Sequence, residues 1–169
     1  MKIRKLTTMA MLCAVALIIF VIEAQIPALV PIPGIKLGLS NIITVFAVFT
    51  LGSWEAALIL ACRIFLGAVF AGNFSTILYS AAGGALAILT TIGLKKLIKE
   101  AQLWVAGCLG AIAHSIGQMA MAIAITGTPG LAIYLPVMIG CSILTGTFTG
   151  LCAQALVKRR KDLWKTFSK

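Results

Sequence analysis

The chain has 169 residues, 61% of them hydrophobic and only 11% charged, with a mean hydropathy of +1.10. Soluble domains carry roughly 45–50% apolar and about 25% charged residues, so these charges are too few to cover a water-exposed surface, and the sequence reads as an all-α integral membrane protein. Its length allows one transmembrane domain over 1–169 and no separate soluble catalytic domain. The net charge of +10 does not indicate nucleic acid, because the basic residues lie in short runs beside apolar segments instead of covering a solvated face.

Six apolar segments follow in chain order, since a spanning helix needs about 20 mostly apolar residues. The first, 7–25, follows Lys2, Arg4 and Lys5 and is long enough to span, so it reads as a retained first helix instead of a signal peptide. A connector with Pro27, Pro31 and Pro33 cannot be helical throughout; it carries Lys36, and its apolar content places it at the interface or folded over the bundle as a lid. The second segment, 39–51, is short for a crossing, so it sits in a thin region or is extended by that connector. The third is 54–70, the fourth 75–94, the fifth 103–126 and the sixth 134–157, before a basic tail, 158–169. Glu55 after Ser53 reads as a favourable charge beside a helix N-cap.

Twelve of the fourteen lysines and arginines fall before the first segment, between the fourth and fifth, or after the sixth. With six spans all twelve share one side, and the positive-inside rule makes that side, with both termini, cytoplasmic in a bacterial cell membrane. The five cysteines (Cys13, Cys62, Cys108, Cys141 and Cys152) all lie in apolar stretches with no CxxC pair and read as packing residues, not as metal ligands or disulfides. Gly83-Gly84, Gly107 with Gly110, and Gly146 with Gly150 allow close approach of helices.

Ionisable and polar groups inside spans are costly and mark function by default. Glu23 lies near the outer end of the first segment, Arg63 mid-way along the third and His114 mid-way along the fifth, with Gln118 one turn further on the same face. Asn41, Asn73, Tyr79 and Tyr134 fall at or near the outer ends of their segments, so with Lys36 these residues are the ligand-binding candidates around a cavity in the outer half of the bundle. Arg63 also has a structural reading, an ion pair with Glu23; His114 and Gln118 have another, an interhelical hydrogen bond.

Longer patterns carry a family resemblance. Glu23-Ala24, then Pro31-Ile32-Pro33-Gly34-Ile35-Lys36-Leu37-Gly38-Leu39-Ser40-Asn41-Ile42, resembles the signature of the Gx transporter family, also labelled heptaprenyl diphosphate synthase component I. Arg63, Tyr79-Ser80-Ala81-Ala82-Gly83-Gly84, Gly110-Ala111-Ile112-Ala113-His114-Ser115-Ile116-Gly117-Gln118, Tyr134-Leu135-Pro136 and Thr145-Gly146 follow in the right order, from about Lys5 to Val157. That family is similar to the S components of energy-coupling factor transporters, six-helix proteins that capture a ligand from outside. The resemblance implies an S-component-like bundle in which Ala10 and Ala14 dock on a transmembrane coupling subunit that works with ATPases, and in which the connector gates the site. Relatives also include a membrane component of flavin-dependent extracellular electron transfer.

The enzyme label conflicts with the residues. Prenyl elongation needs aspartate-rich motifs to hold magnesium and diphosphate, and this chain has one aspartate, Asp162, and three scattered glutamates. There is no nucleophile–base set, phosphate loop or dinucleotide fingerprint, so the chain is expected to be no enzyme and to bind no metal. The leading expectation is an uptake subunit for a small amphipathic ligand. One alternative is a redox subunit between membrane quinone and an external flavoprotein, the only case that brings in flavin or quinone as cofactor. The other is a non-catalytic membrane component linked to prenyl diphosphate and isoprenoid quinone metabolism.

Overall fold

A computed structural model describes residues 3–25, 36, 38–72 and 74–167, with the backbone alone for Arg4, Ala71, Ser75 and residues 160–167. The described residues form six α-helices and two short 3-10 helices, with no strand among them: α1 Ile3–Glu23, α2 Asn41–Thr50, α3 Ser53–Ala71, α4 Ser75–Lys95, α5 Leu103–Thr126 and α6 Leu135–Phe167. Short 3-10 elements at Glu100–Gln102 (one turn) and Pro129–Tyr134 (two turns) lead into α5 and α6. The segments read from hydropathy reappear within a few residues, and 103–126 coincides with α5.

Two boundaries differ. The tail after 157 is not a separate element: α6 continues through it to Phe167, because lysine, arginine and leucine are good helix formers with nothing to break them. At α3 the N-cap is Gly52, not Ser53. Gly52 adopts φ +134°, where a side chain would lie 2.5 Å from a Glu55 carboxylate oxygen, and that carboxylate instead binds Lys5 of α1.

Five helices are long and apolar enough to cross a membrane, and α2 is not. At 1.5 Å per residue its ten residues cover about 15 Å, half of a hydrocarbon core about 30 Å thick. The described residues therefore form a membrane-associated helical bundle of five long helices and one half-length one.

Side-chain contacts give the helix directions. The Lys5–Glu55 ion pair brings the starts of α1 and α3 to one end. Lys95, closing α4, donates from Nζ to the Val48 carbonyl near the end of α2 at 2.6 Å, and Trp104 at the start of α5 lies against Gly150 at the middle of α6. The helices thus alternate in direction, and both described termini lie at this basic end.

Packing divides the bundle. The α5–α6 seam is made of backbone: a methyl group on Gly107 would stand 2.5 Å from the Gly146 carbonyl oxygen and 2.5 Å from the Gly150 Cα. The α4–α5 seam is as close, with Gly117 against Ala82 and Gly83. By contrast α1 meets α3 through a large side chain, Phe20, whose ring fills the space above Gly67. An apolar core between α1, α2 and α3, including Met9, Ala16, Ile43, Val48, Ala56 and Ile59, holds that half together. The outward faces of α1, α3 and α6 remain apolar and exposed, as in Ile18, Phe65 and Phe148, and such large apolar surfaces suit a lipid surround.

A buried polar cluster at the start of the half-length helix

The short helix begins inside the bundle, and the polar residues gather around its first turn. Its N-cap residue, Ser40, is fully buried and caps no backbone group with its hydroxyl. The hydroxyl instead accepts a 2.5 Å hydrogen bond from Nη1 of Arg63. Arg63 lies eight residues after Glu55, about 12 Å along α3, so this contact sits near mid-height.

Just before Ser40 the chain turns at Gly38, where φ of +79° favours glycine. The Gly38 N–H donates to Oε1 of Glu23 at 2.5 Å. A Cβ on Gly38 would also lie 2.9 Å from Nδ2 of Asn41 and 3.2 Å from Cδ2 of His114. Glycine here therefore provides both the backbone angle and room for the imidazole. On its other side the same ring faces Gly83 of α4, where a Cβ would stand 2.9 Å from His114 Nδ1 and 2.8 Å from Gln118 Cγ.

Five side chains here are almost wholly buried: Glu23 and Asn41 at 4% exposure, Arg63 at 4%, His114 at 3% and Gln118 at 1%. Each keeps a buried polar atom without a hydrogen-bond partner among the described residues, namely Glu23 Oε2, both amide atoms of Asn41, Arg63 Nη2, His114 Nδ1 and Gln118 Oε1. Native interiors rarely leave such groups unpaired, and five neighbouring side chains doing so mark a place where something else supplies the partners.

Neither of the alternative structural pairings that the sequence offers forms among the described residues. Glu23 and Arg63 make no ion pair among the described residues, because Gly38 and Ser40 engage their head groups separately. No hydrogen bond links His114 to Gln118 either; each retains an unpartnered atom. The Lys36 ammonium stands 3.4 Å from the centre of the Phe20 ring, with the Arg63 guanidinium 5.8 Å from it, a cation–π arrangement. Partial burial pushes the Lys36 pKa below the ordinary lysine value; Glu23 opposes that shift and Arg63 adds to it.

Of the nine sequence candidates, Glu23, Lys36, Asn41, Arg63, His114 and Gln118 therefore converge. Tyr79 and Tyr134 sit elsewhere together, in an apolar cluster with Met119, Ala122 and Met138. Asn73 and the proline-bearing connector up to residue 35 lie outside the described residues. Ser40, Gly38, Gly83 and Phe20 are not among the sequence candidates, Gly83 being read there only as a helix-packing residue; the signal for Ser40 is its place beside Asn41 at the head of a short apolar run. A second polar contact, between the hydroxyls of Ser115 and Ser142 at 2.6 Å, joins α5 to α6. Among the described residues no three histidine, cysteine, aspartate or glutamate side chains gather as metal ligands would.

The model of one protein family, described as heptaprenyl diphosphate synthase component I, matches residues 12–156. No curated protein and no solved structure matches the chain.

Proposed function

We propose that the chain, which belongs to the heptaprenyl diphosphate synthase component I family, is a non-catalytic membrane subunit that captures a small amphipathic ligand at the cluster around α2. The observation that carries this reading is the set of unpartnered polar atoms on Glu23, Asn41, Arg63, His114 and Gln118. In a transmembrane bundle such groups are kept for a substrate path or a binding site by default. A half-length helix whose start lies inside the bundle beside them is also the arrangement by which many transporters present a site near the membrane midplane.

Synthase chemistry by this chain alone is disfavoured. The four carboxylates are Glu23 at one end of α1, Glu55 at the other end of the bundle, Glu100 before α5 and Asp162 in the tail, and magnesium diphosphate needs several such groups together. The reaction in the family's label would then belong to a partner.

In this reading both termini face the cytoplasm, where the basic residues of the α1, α4 and α6 ends would lie by the positive-inside rule. Ala10 and Ala14 are exposed on α1, which suits docking on a transmembrane coupling subunit by analogy with energy-coupling factor transporters. The test is native mass spectrometry of protein purified gently from membranes, with identification of any retained molecule. A ligand held by the wild type and lost in both Arg63→Met and His114→Ala is the expected result. Equal retention by both variants would move the site away from this cluster. For the docking face, Ala14→Trp should abolish co-purification with a coupling subunit while leaving the ligand bound.

A further inference from the structure

We infer that the ligand of this cluster is an amphipathic anion whose head carries one or two negative charges, as a carboxylate or a phosphate monoester does, and that Arg63 and Lys36 select it. This deepens the proposed capture role and rests on it. Charge decides the matter because it can be followed over the whole chain. Away from the basic end the sequence has two cationic side chains, Lys36 before α2 and Arg63 on α3, and one carboxylate, Glu23. Residues 26–35, Leu37 and Asn73, which lie outside the described residues, include no ionisable side chain and leave this balance unchanged. With Glu23 ionised the cluster has one net positive charge, and with Glu23 protonated it has two. The excess is positive in both states, and a proton on His114 would only add to it.

Burial gives that excess its weight. Arg63 is 4% exposed and a guanidinium does not lose its proton in a protein. Its Nη1 donates to the Ser40 hydroxyl, its Nη2 has no partner, and no carboxylate pairs with it among the described residues. A buried charge without a hydrogen-bonded counter-ion is costly. Lys36, half-buried, stands over the same Phe20 ring as Arg63, at 3.4 and 5.8 Å from its centre, so the nearest cation adds repulsion instead of relief. An anionic oxygen at Nη2 would supply the missing partner through a charge-assisted bond and offset the repulsion together. The side-chain amides of Asn41 and Gln118 offer donor and acceptor alike, so they accept an anionic or a neutral head and do not discriminate. Discrimination therefore falls to the two cations, and exchanging the anion for a neutral head of the same shape should lower affinity by roughly ten- to a hundredfold.

The experiment compares such heads. Full-length protein in nanodiscs of zwitterionic lipid is titrated with octanoate, octanamide and octyl phosphate, and with 4-phenylbutyrate and its amide as a second framework. Thermal shift and calorimetry are recorded, and empty nanodiscs are subtracted because the alkyl chains also enter lipid. The expected result is binding of the acid at least tenfold tighter than of its amide on one framework or both. Arg63→Met should bring the acid down to the level of the amide, and Lys36→Met, partly in water, should weaken the acid about threefold. Glu23→Gln removes the opposing charge and should bind the acid at least as tightly as the wild type does. Tighter binding of octyl phosphate than of octanoate identifies a phosphate head, and the reverse order a carboxylate. An amide that binds as tightly as its acid, no binding of any anion, or weaker acid binding in Glu23→Gln overturns the inference. The capture reading survives those results as long as Arg63→Met or His114→Ala weakens whatever does bind. Acid binding that ignores both Arg63→Met and Lys36→Met instead removes the site from this cluster and overturns the capture reading as well.

Discussion

Gly107 is where a single methyl group should do the most harm. The added carbon of Gly107→Ala would meet the Gly146 carbonyl oxygen at 2.5 Å, the Gly150 Cα at 2.5 Å and the Gly150 nitrogen at 2.7 Å. All three are backbone atoms, so no side chain can rotate away, and α5 and α6 must separate by about 1 Å to restore ordinary contact. Overpacking of this kind costs about 1–3 kcal/mol, and the lack of any flexible neighbour places Gly107→Ala in the upper half of that range. At roughly 2–4 °C per kcal/mol for a chain of this size, the variant should melt about 4–12 °C below the wild type. The assay is thermal unfolding in nanodiscs, followed with a thiol-reactive dye that reads the part-buried Cys13, Cys108, Cys141 and Cys152 as they become accessible. Gly93→Ala is the matched control, because nothing lies within 4 Å of the added carbon and alanine is the better helix former by about 1 kcal/mol. If Gly107→Ala melts with or above Gly93→Ala, the α5–α6 seam is not packed backbone to backbone.

Other outcomes follow from contacts already described. Removing either hydroxyl of the Ser115–Ser142 pair should give a double-mutant coupling of about 0.6 kcal/mol, the usual size for interhelical hydrogen bonds in membranes; additive losses would deny the bond. Lys95→Met removes the side-chain cap on Val48 and, with the lysine partly in water, should cost about 1 kcal/mol by the same melting assay. Lys5→Met and Glu55→Gln should each melt with the wild type within the scatter of replicates, because an ion pair still partly in water contributes little; a clear loss would show that the basic end is held electrostatically. Arg63→Met should leave the melting temperature of ligand-free protein near the wild-type value and abolish stabilisation by ligand, whereas an equal fall in both would make Arg63 structural.

Much of the scaffold is legible from hydropathy because each long helix must be apolar wherever lipid surrounds it. The run 103–126 coincides with α5 for this reason, and the run at 39–51 already shows that α2 is too short to span. The candidate site is legible only in part. Arg63, His114 and Gln118 stand out as polar residues in apolar runs, and mid-span position alone placed them at a common depth. Ser40 and Gly38 do not stand out, since serine and glycine before a helix read as an ordinary cap and turn; their role depends on a tertiary contact with α3 and α1. The tyrosines are ambiguous in sequence for a different reason. An aromatic ring with a polar tip suits a binding site and an apolar cluster equally, and Tyr79 settles beside Met119 and Met138. Sequence also cannot say that Glu23 and Arg63 avoid each other, because that is decided by which backbone and hydroxyl groups reach them first.

The half-length helix has both of its ends fixed. In an unbroken helix the Gly38 amide would bond to a carbonyl four residues earlier; the left-handed angle at Gly38 forbids that continuation, and the Glu23 carboxylate stands in for the missing carbonyl. At the other end Lys95 holds the Val48 carbonyl, and Gly52, at φ +134°, turns the chain into α3. With neither end free to gain or lose a turn, α2 acts as a ruler cut to length, and the depth of Ser40 and Asn41 is measured from the basic end instead of being set by the thickness of the surrounding bilayer.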